Sequence, residues 1–251
     1  MRENTITKTI SFILMIVLLM SFSGNAMIIP ANENAKENAK APEHSAAIDD
    51  DWNINRIDFL HYARNAAVNG NGRNKCYNFI GAKWPTLPVN YVINPSNPQF
   101  LSESFVVSTL SKSVETWDSA TSRELFNNAY QINYSAQPGI RDGKNTFGFT
   151  FYPNNNVIAV TSVWMTFTGQ IVEADIQFNN VFTWGDATLN PNVMDLENIG
   201  VHEIGHVDGL GDIYSSSCSS VTMYGYSDYG ETAKRTLETP DITGLRKLYG
   251  N

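Results

Sequence analysis

The stretch that leaves this chain the least freedom is residues 201–212, VHEIGHVDGLGD. His202 and His206 stand four positions apart. On an α-helix four residues advance about 400° and about 6 Å, so both imidazoles leave the same face one turn apart. Two nitrogens placed this way can meet one zinc ion at about 2.1 Å each. Glu203 lies beside His202, near such an ion but turned away from ligation, where its carboxylate can take a proton from a water on the metal. Gly209 stops the helix, because glycine reaches the positive φ that a sharp reversal needs. The chain then turns back and brings Asp212 as a third ligand. Three protein ligands leave the fourth position to water, which marks a catalytic rather than a structural zinc site. The plainer explanation is a buried helix with incidental histidines. With only four His in the chain, the whole pattern is a rare accident.

Composition narrows the alternatives. The 251 residues carry 17 Lys+Arg against 25 Asp+Glu, a formal charge of −8. A nucleic-acid binder needs a basic surface, which this balance argues against. Two Cys cannot build a disulfide scaffold or a four-cysteine zinc knuckle. A hydrophobic share of 42% is enough for an ordinary core.

The chain divides into three. Residues 10–22 are almost wholly apolar, follow Arg2 and Lys8, and are followed by Gly24 and Ala26, small residues at the positions a signal peptidase reads. Residues 1–26 are therefore expected to be a signal peptide. The alternative, a membrane anchor, needs about 20 apolar residues. Residues 27–75 begin with a polar Asn-Glu-Ala-Lys repeat, pass through a short amphipathic pattern at Ile57, Leu60 and Tyr62, and end in the Gly/Asn loop NGNGRN. They read as a pro-segment or linker, partly disordered. His44 and His61 fall in this part and are expected to be solvated. Residues 76–251 form the folded domain.

Within that domain, strands are expected at residues 89–93, 147–151, 157–165 and 170–178. Helices are expected at residues 102–121, 195–208 and from Thr239 onward, with Pro240 at the first helical position. Strands come mainly first and helices last, so the fold class is α+β, with a twisted mixed sheet.

HEIGHVDGLGD resembles the signature of the metzincin zinc peptidases, in the variant with Asp as third ligand, and is most similar to a matrixin-type catalytic domain. Further stretches carry the resemblance: VTMY at residues 221–224 is similar to the Met-turn, EADIQF at 173–178 to the strand before the active-site helix, and DITGL with LYG near the C-terminus to the last helix. Residues 84–93 resemble the first strand. The resemblance implies a zincin-like fold, one catalytic Zn2+ and an apolar floor formed by Met223 under the histidines. The Met-turn lacks the usual Pro after Tyr224. With so few histidines, the family's second, structural zinc is expected to be absent. Ca2+ has carboxylates available near Asp175, Asp186 and Asp212, without the spacing of a calcium loop.

In an exported chain, Cys76 and Cys218 are expected to form a disulfide; the alternative is a switch in which Cys76 occupies the metal's open position. The function expected is a secreted, extracellular zinc endopeptidase that hydrolyses extended protein or peptide substrates through a zinc-activated water. It would be made as a zymogen and act as a monomer, with no nucleic-acid partner and no stable membrane association. Glu203 is the base. Substrate would lie along an edge strand at Val157, Ala159 and Thr161, with Tyr224 and Tyr226 lining the pocket or merely packing the Met-turn. A non-catalytic zinc-stabilised binding module and a zinc amidase for cell-wall peptides are the alternatives.

Overall fold

The structure, a computed structural model, describes residues 45–48, 53–64 and 75–251. The expected signal peptide, most of the polar repeat and His44 lie outside the described residues. In chain order the strands are β1 Ser45–Ile48, β2 Ile54–Ala63, β3 Asn78–Phe79, β4 Val92–Asn94, β5 Gln131–Ile132, β6 Thr146–Thr150, β7 Val157–Thr166, β8 Ile171–Asn179, β9 Trp184–Gly185, β10 Met194–Asp195, β11 Leu210–Gly211 and β12 Tyr226–Ser227. The helices are α1 Glu103–Asp118, α2 Leu196–Val207 and α3 Thr239–Tyr249.

One mixed sheet carries the order β1-β2-β7-β8-β6-β4-β5, with β12 paired to β2. β7 runs antiparallel to β8, whereas β8, β6, β4 and β5 are mutually parallel. β7 reads VIAVTSVWMT, and every residue but the last is buried. A β-branched run of this kind suits a strand covered on both faces. The same holds for β6, where an alternating, half-exposed strand was expected. Phe147 and Phe149 are both buried, while Phe151 lies beyond the strand and is exposed.

α1 begins at Ser102, whose hydroxyl accepts from the Phe105 N–H at 3.2 Å, a side-chain N-cap. It is pinned to α2 through fully buried Trp117, whose indole N–H donates to Val201 O at 2.7 Å. α2 is buried along its whole length, as a helix apolar on most sides must be. Asp195 caps it, accepting from Asn198 N–H at 2.8 Å. The expected strand at residues 89–93 shrinks to β4, with Val89 making a single bridge to Phe126.

The largest difference from expectation lies upstream of Cys76. Residues 54–63, expected in a partly disordered segment, form a ten-residue strand between β1 and β7. It pairs antiparallel with β7 from Ile54↔Thr166 to Tyr62↔Val157. Without it, the outer edge of β7 would present a row of unpaired backbone groups, which β2 satisfies.

Candidate active site

α2 delivers His202 and His206 on one face, their Nε2 atoms 3.1 Å apart. Each ring is set by its other nitrogen. His202 Nδ1 meets Thr222 O at 2.7 Å and His206 Nδ1 meets Leu210 O at 2.9 Å. A carbonyl only accepts, so each Nδ1 carries the hydrogen, and in the neutral ring each Nε2 presents a lone pair. Two facing lone pairs repel unless a cation joins them.

Gly209 reverses the chain after α2 with φ +95°, and a Cβ there would lie 2.5 Å from Ala82 O. The reversal brings Asp212 Oδ1 to 3.3 Å from His202 Nε2 and 3.4 Å from His206 Nε2. This oxygen is buried and has no hydrogen-bond partner. Ligand atoms placed tetrahedrally at about 2.1 Å from one ion lie about 3.4 Å apart. The triangle therefore has the size of a zinc site. His202 is pushed down to about 4, chiefly by burial.

Glu203 is fully buried beside this triangle, and burial pushes its pKa up to about 7. Thr161 Oγ1 donates to Glu203 Oε2 at 2.5 Å. Thr161 was expected to face substrate; instead it lies fully buried against the base. Val157 and Ala159 are also fully buried, their backbones paired with Tyr62 and His61 of β2. The β7 edge is thus covered, because β2 already fills it.

His61, expected to be solvated, is 0% exposed. Its Nδ1 lies 3.1 Å from Glu203 Oε1, and its ring centroid is 3.9 Å from that of His202. Burial pushes its pKa well down, so the ring is neutral. Two residues earlier, Phe59 stacks on His206 at 4.4 Å.

Met223 is buried under α2, and a Cβ on Gly205 would run into Met223 Sδ and Trp117. Asp241 sets this turn, accepting from Thr222 N–H at 2.9 Å and Met223 N–H at 3.2 Å. Sequence reasoning missed this role, although an acid in the first turn after Pro240 was visible. Tyr226 is fully buried in β12, its ring 5.6 Å from Tyr224 and 5.3 Å from Tyr214. Tyr214, unforeseen, donates to Asp212 Oδ2 at 3.0 Å. Cys76 and Cys218 are joined in a disulfide with Cα atoms 5.4 Å apart, so neither sulfur faces the site as a thiolate.

Of the carboxylates considered for calcium, Asp212 belongs to the triangle at α2 and the other two have partners of their own. Asp175 accepts from Gly139 and Thr146 N–H, each at 2.7 Å. Asp186 pairs with Arg235 at 2.6 Å. Among the described residues, the groupings of metal-ligating side chains both lie at the α2 site: His202–His206–Asp212 and His61–His202–Glu203.

Fold and site together define a metzincin-type catalytic domain. Residues 83–250 match the model of the Matrixin family, and the chain belongs to that family. It is similar to metalloendoproteinase 1 of Glycine max, with 47% identity over 68 residues covering 26% of this chain and 21% of that protein. It is also similar to matrix metalloproteinase-25 of Mus musculus, 27% identical over 192 residues, and to matrix metalloproteinase-16 of Homo sapiens, 24% identical over 184 residues. Each covers 71% of this chain and 29% of the relative. The chain thus spans less than a third of the length of these relatives. The family implies zinc as cofactor, and the facing lone pairs and the unpartnered Asp212 oxygen fit that ion.

Proposed function

We propose that this chain is a secreted zinc endopeptidase, acting on extended protein or peptide substrates as a monomer with one zinc ion. The observation that carries the reading is the pair of imidazole lone pairs facing each other and an unpartnered carboxylate oxygen, with a second buried carboxylate alongside. His202, His206 and Asp212 would hold the metal. When bound, zinc supplies Lewis-acid chemistry, acidifying water and polarising the scissile carbonyl.

Glu203 does the proton work. A carboxylate raised to about 7 is matched to accept a proton from water and then deliver it to the departing amine near neutral pH. Thr161 fixes one carboxylate oxygen, and the other, which His61 Nδ1 contacts at 3.1 Å, would serve proton transfer once β2 has left. The carbonyls of Thr222 and Leu210 hold the two imidazoles in the ligating tautomer, the outer-shell role that tunes metal sites. Substrate would pair as a strand with β7 along the course that β2 takes, using backbone bonds that read little sequence. Residues 1–26 would direct export, and residues 27–75 would serve as a pro-segment removed to give the active enzyme.

The test is cleavage of casein by the zinc-loaded protein after processing, stopped by a chelator and restored by zinc. Glu203→Ala that binds zinc yet cleaves as well as wild type would overturn the assignment of the base.

A further inference from the structure

Two of the three ligand-capable side chains stand on α2, but Asp212 stands on the loop that follows it. That loop is laid along the Met223 turn. Ile213 bridges Tyr224, its N–H donating to Met223 O at 2.8 Å, and Gly225 N–H donates back to Ile213 O at 3.0 Å. Side chains two apart in an extended segment leave on the same side, so Asp212 and Tyr214 emerge together. The Tyr214 hydroxyl donates to Asp212 Oδ2 at 3.0 Å. Oδ1, the other oxygen, has no hydrogen-bond partner and lies 3.3 and 3.4 Å from the two Nε2 atoms.

The phenol ring needs room, and Gly225 leaves it. A Cβ at this position would lie 2.4 Å from Tyr214 Cε1, 2.9 Å from Tyr214 Cζ and 2.9 Å from Asp212 Oδ1, closer than side chains approach one another. Gly225 is not among the glycines with positive φ, so its backbone conformation does not call for glycine; its neighbours do. It stands where the Pro usual after Tyr224 is missing. A proline would bring a Cβ into the same ring and would have no N–H for Ile213 O.

We propose that Tyr214 is a positioning residue for the metal site, holding Asp212 by one oxygen so that the other is the one offered to the ion, and that Gly225 is kept small to admit the phenol. The proposal rests on the zinc endopeptidase reading above. Its chemical basis is a symmetry of roles. His202 and His206 each have one nitrogen fixed by a carbonyl and one left open. A carboxylate accepts where an imidazole N–H donates, so the matching anchor for Asp212 must be a donor, and the Tyr214 hydroxyl is one. All three side chains then have one atom held and one facing the same point. The loop residue needs this most, because a carboxylate on a short stem turns freely unless one oxygen is tied.

The experiment measures the zinc affinity of the intact chain by competition with a chromophoric chelator. Tyr214→Phe removes the hydroxyl and keeps the ring with its edge contact to Tyr226 at 5.3 Å. It should weaken zinc binding about 10–100-fold, the usual cost of losing an outer-shell partner, and Tyr214→Ala should weaken it by a similar factor. A Phe variant that binds zinc as tightly as wild type would make Tyr214 a packing residue and overturn the proposal. Gly225→Ala should weaken binding at least about tenfold on its own, but less than about threefold when added to Tyr214→Ala. Equal factors in the two backgrounds would break the link between glycine and phenol. If Gly225→Ala fails to fold, its combination with Tyr214→Ala decides: recovery of folding supports the link, and continued failure overturns it. The two readings separate. Weakened zinc binding by Tyr214→Phe in a chain that never cleaves casein would remove the endopeptidase reading and keep the anchor. Full affinity of Tyr214→Phe in a chain that does cleave casein would remove the anchor alone.

Discussion

α2 and β2 bring histidines to the same buried place, but they are built into the molecule very differently. α2 is buried along its whole length, capped by Asp195, bonded to Trp117 through Val201 O and supported by Met223. Its imidazoles are held by carbonyls from turns that themselves belong to the core. β2 buries only Ile54, Phe59 and His61 and leaves its other side chains wholly or partly exposed. It is held chiefly through backbone pairing, which any extended segment can imitate. The difference separates a frame that must persist from an occupant that can be exchanged.

The sharpest way to divide chemistry from frame in α2 is Glu203→Gln. It should lower kcat/KM by about 10²–10⁴-fold, the usual contribution of a general base, while zinc content measured by mass spectrometry stays at the wild-type level. Loss of zinc would mean that Glu203 belongs to the frame. Replacing both Cys76 and Cys218 by Ser should cost about 2–5 kcal/mol in a urea titration, toward the upper end because the bridge spans 142 residues. An unchanged midpoint would show that the bridge does not secure the frame. Met223→Ala removes packing beneath α2 and should cost about 2–5 kcal/mol. If it instead alters only β2, measured by proteolysis, the division between frame and occupant is drawn in the wrong place. Hydrogen exchange reads the division directly: β2 amides should exchange at least about tenfold faster than those of α2, through opening of the strand alone. Equal protection would make β2 part of the frame.

The smallest expected effect concerns the far side of β2. Lys234 is buried, donating to Tyr226 O at 2.6 Å and Ser227 Oγ at 3.0 Å, and so steadies β12. Burial lowers its pKa from 10.5 to about 8. Between those values the unfolded chain holds the proton and the folded chain does not, so this group makes stability rise with pH from about 8 to 10.5. Lys234→Met lacks that slope. Wild type should gain on the variant between pH 7 and pH 9.5 in urea titrations, and parallel curves would refute the assignment.

How far each region was legible follows from the same contrast. The face shared by His202 and His206 is fixed by helix geometry within five residues, and Gly209 announces the reversal that returns Asp212. β2 depends on pairing with a strand about 100 residues away, and its register is set by which edge is vacant. Its conspicuous apolar residues, Ile57, Leu60 and Tyr62, are not the ones it buries most deeply. The inward face carries Phe59 and His61, and a lone histidine among polar neighbours gives no sign of direction. Thr161 was noticed for the right strand and the wrong purpose, because an edge left open in the sequence reading is closed in the fold. Asp241 was legible as a helix-opening acid, while its hold on the Met223 turn depends on tertiary contact.

The position of the disulfide decides what a cut upstream of it leaves joined. Eleven residues separate Arg64 from Cys76, and a short tether sets a local concentration on the order of mM for the segment it holds. Cys76 lies downstream of that tether. One cut before it leaves the catalytic part cross-linked to Cys218 and the released strand bound by no covalent link. From then on β2 pairs with β7 and β12 only at its concentration in bulk, so dilution favours its release.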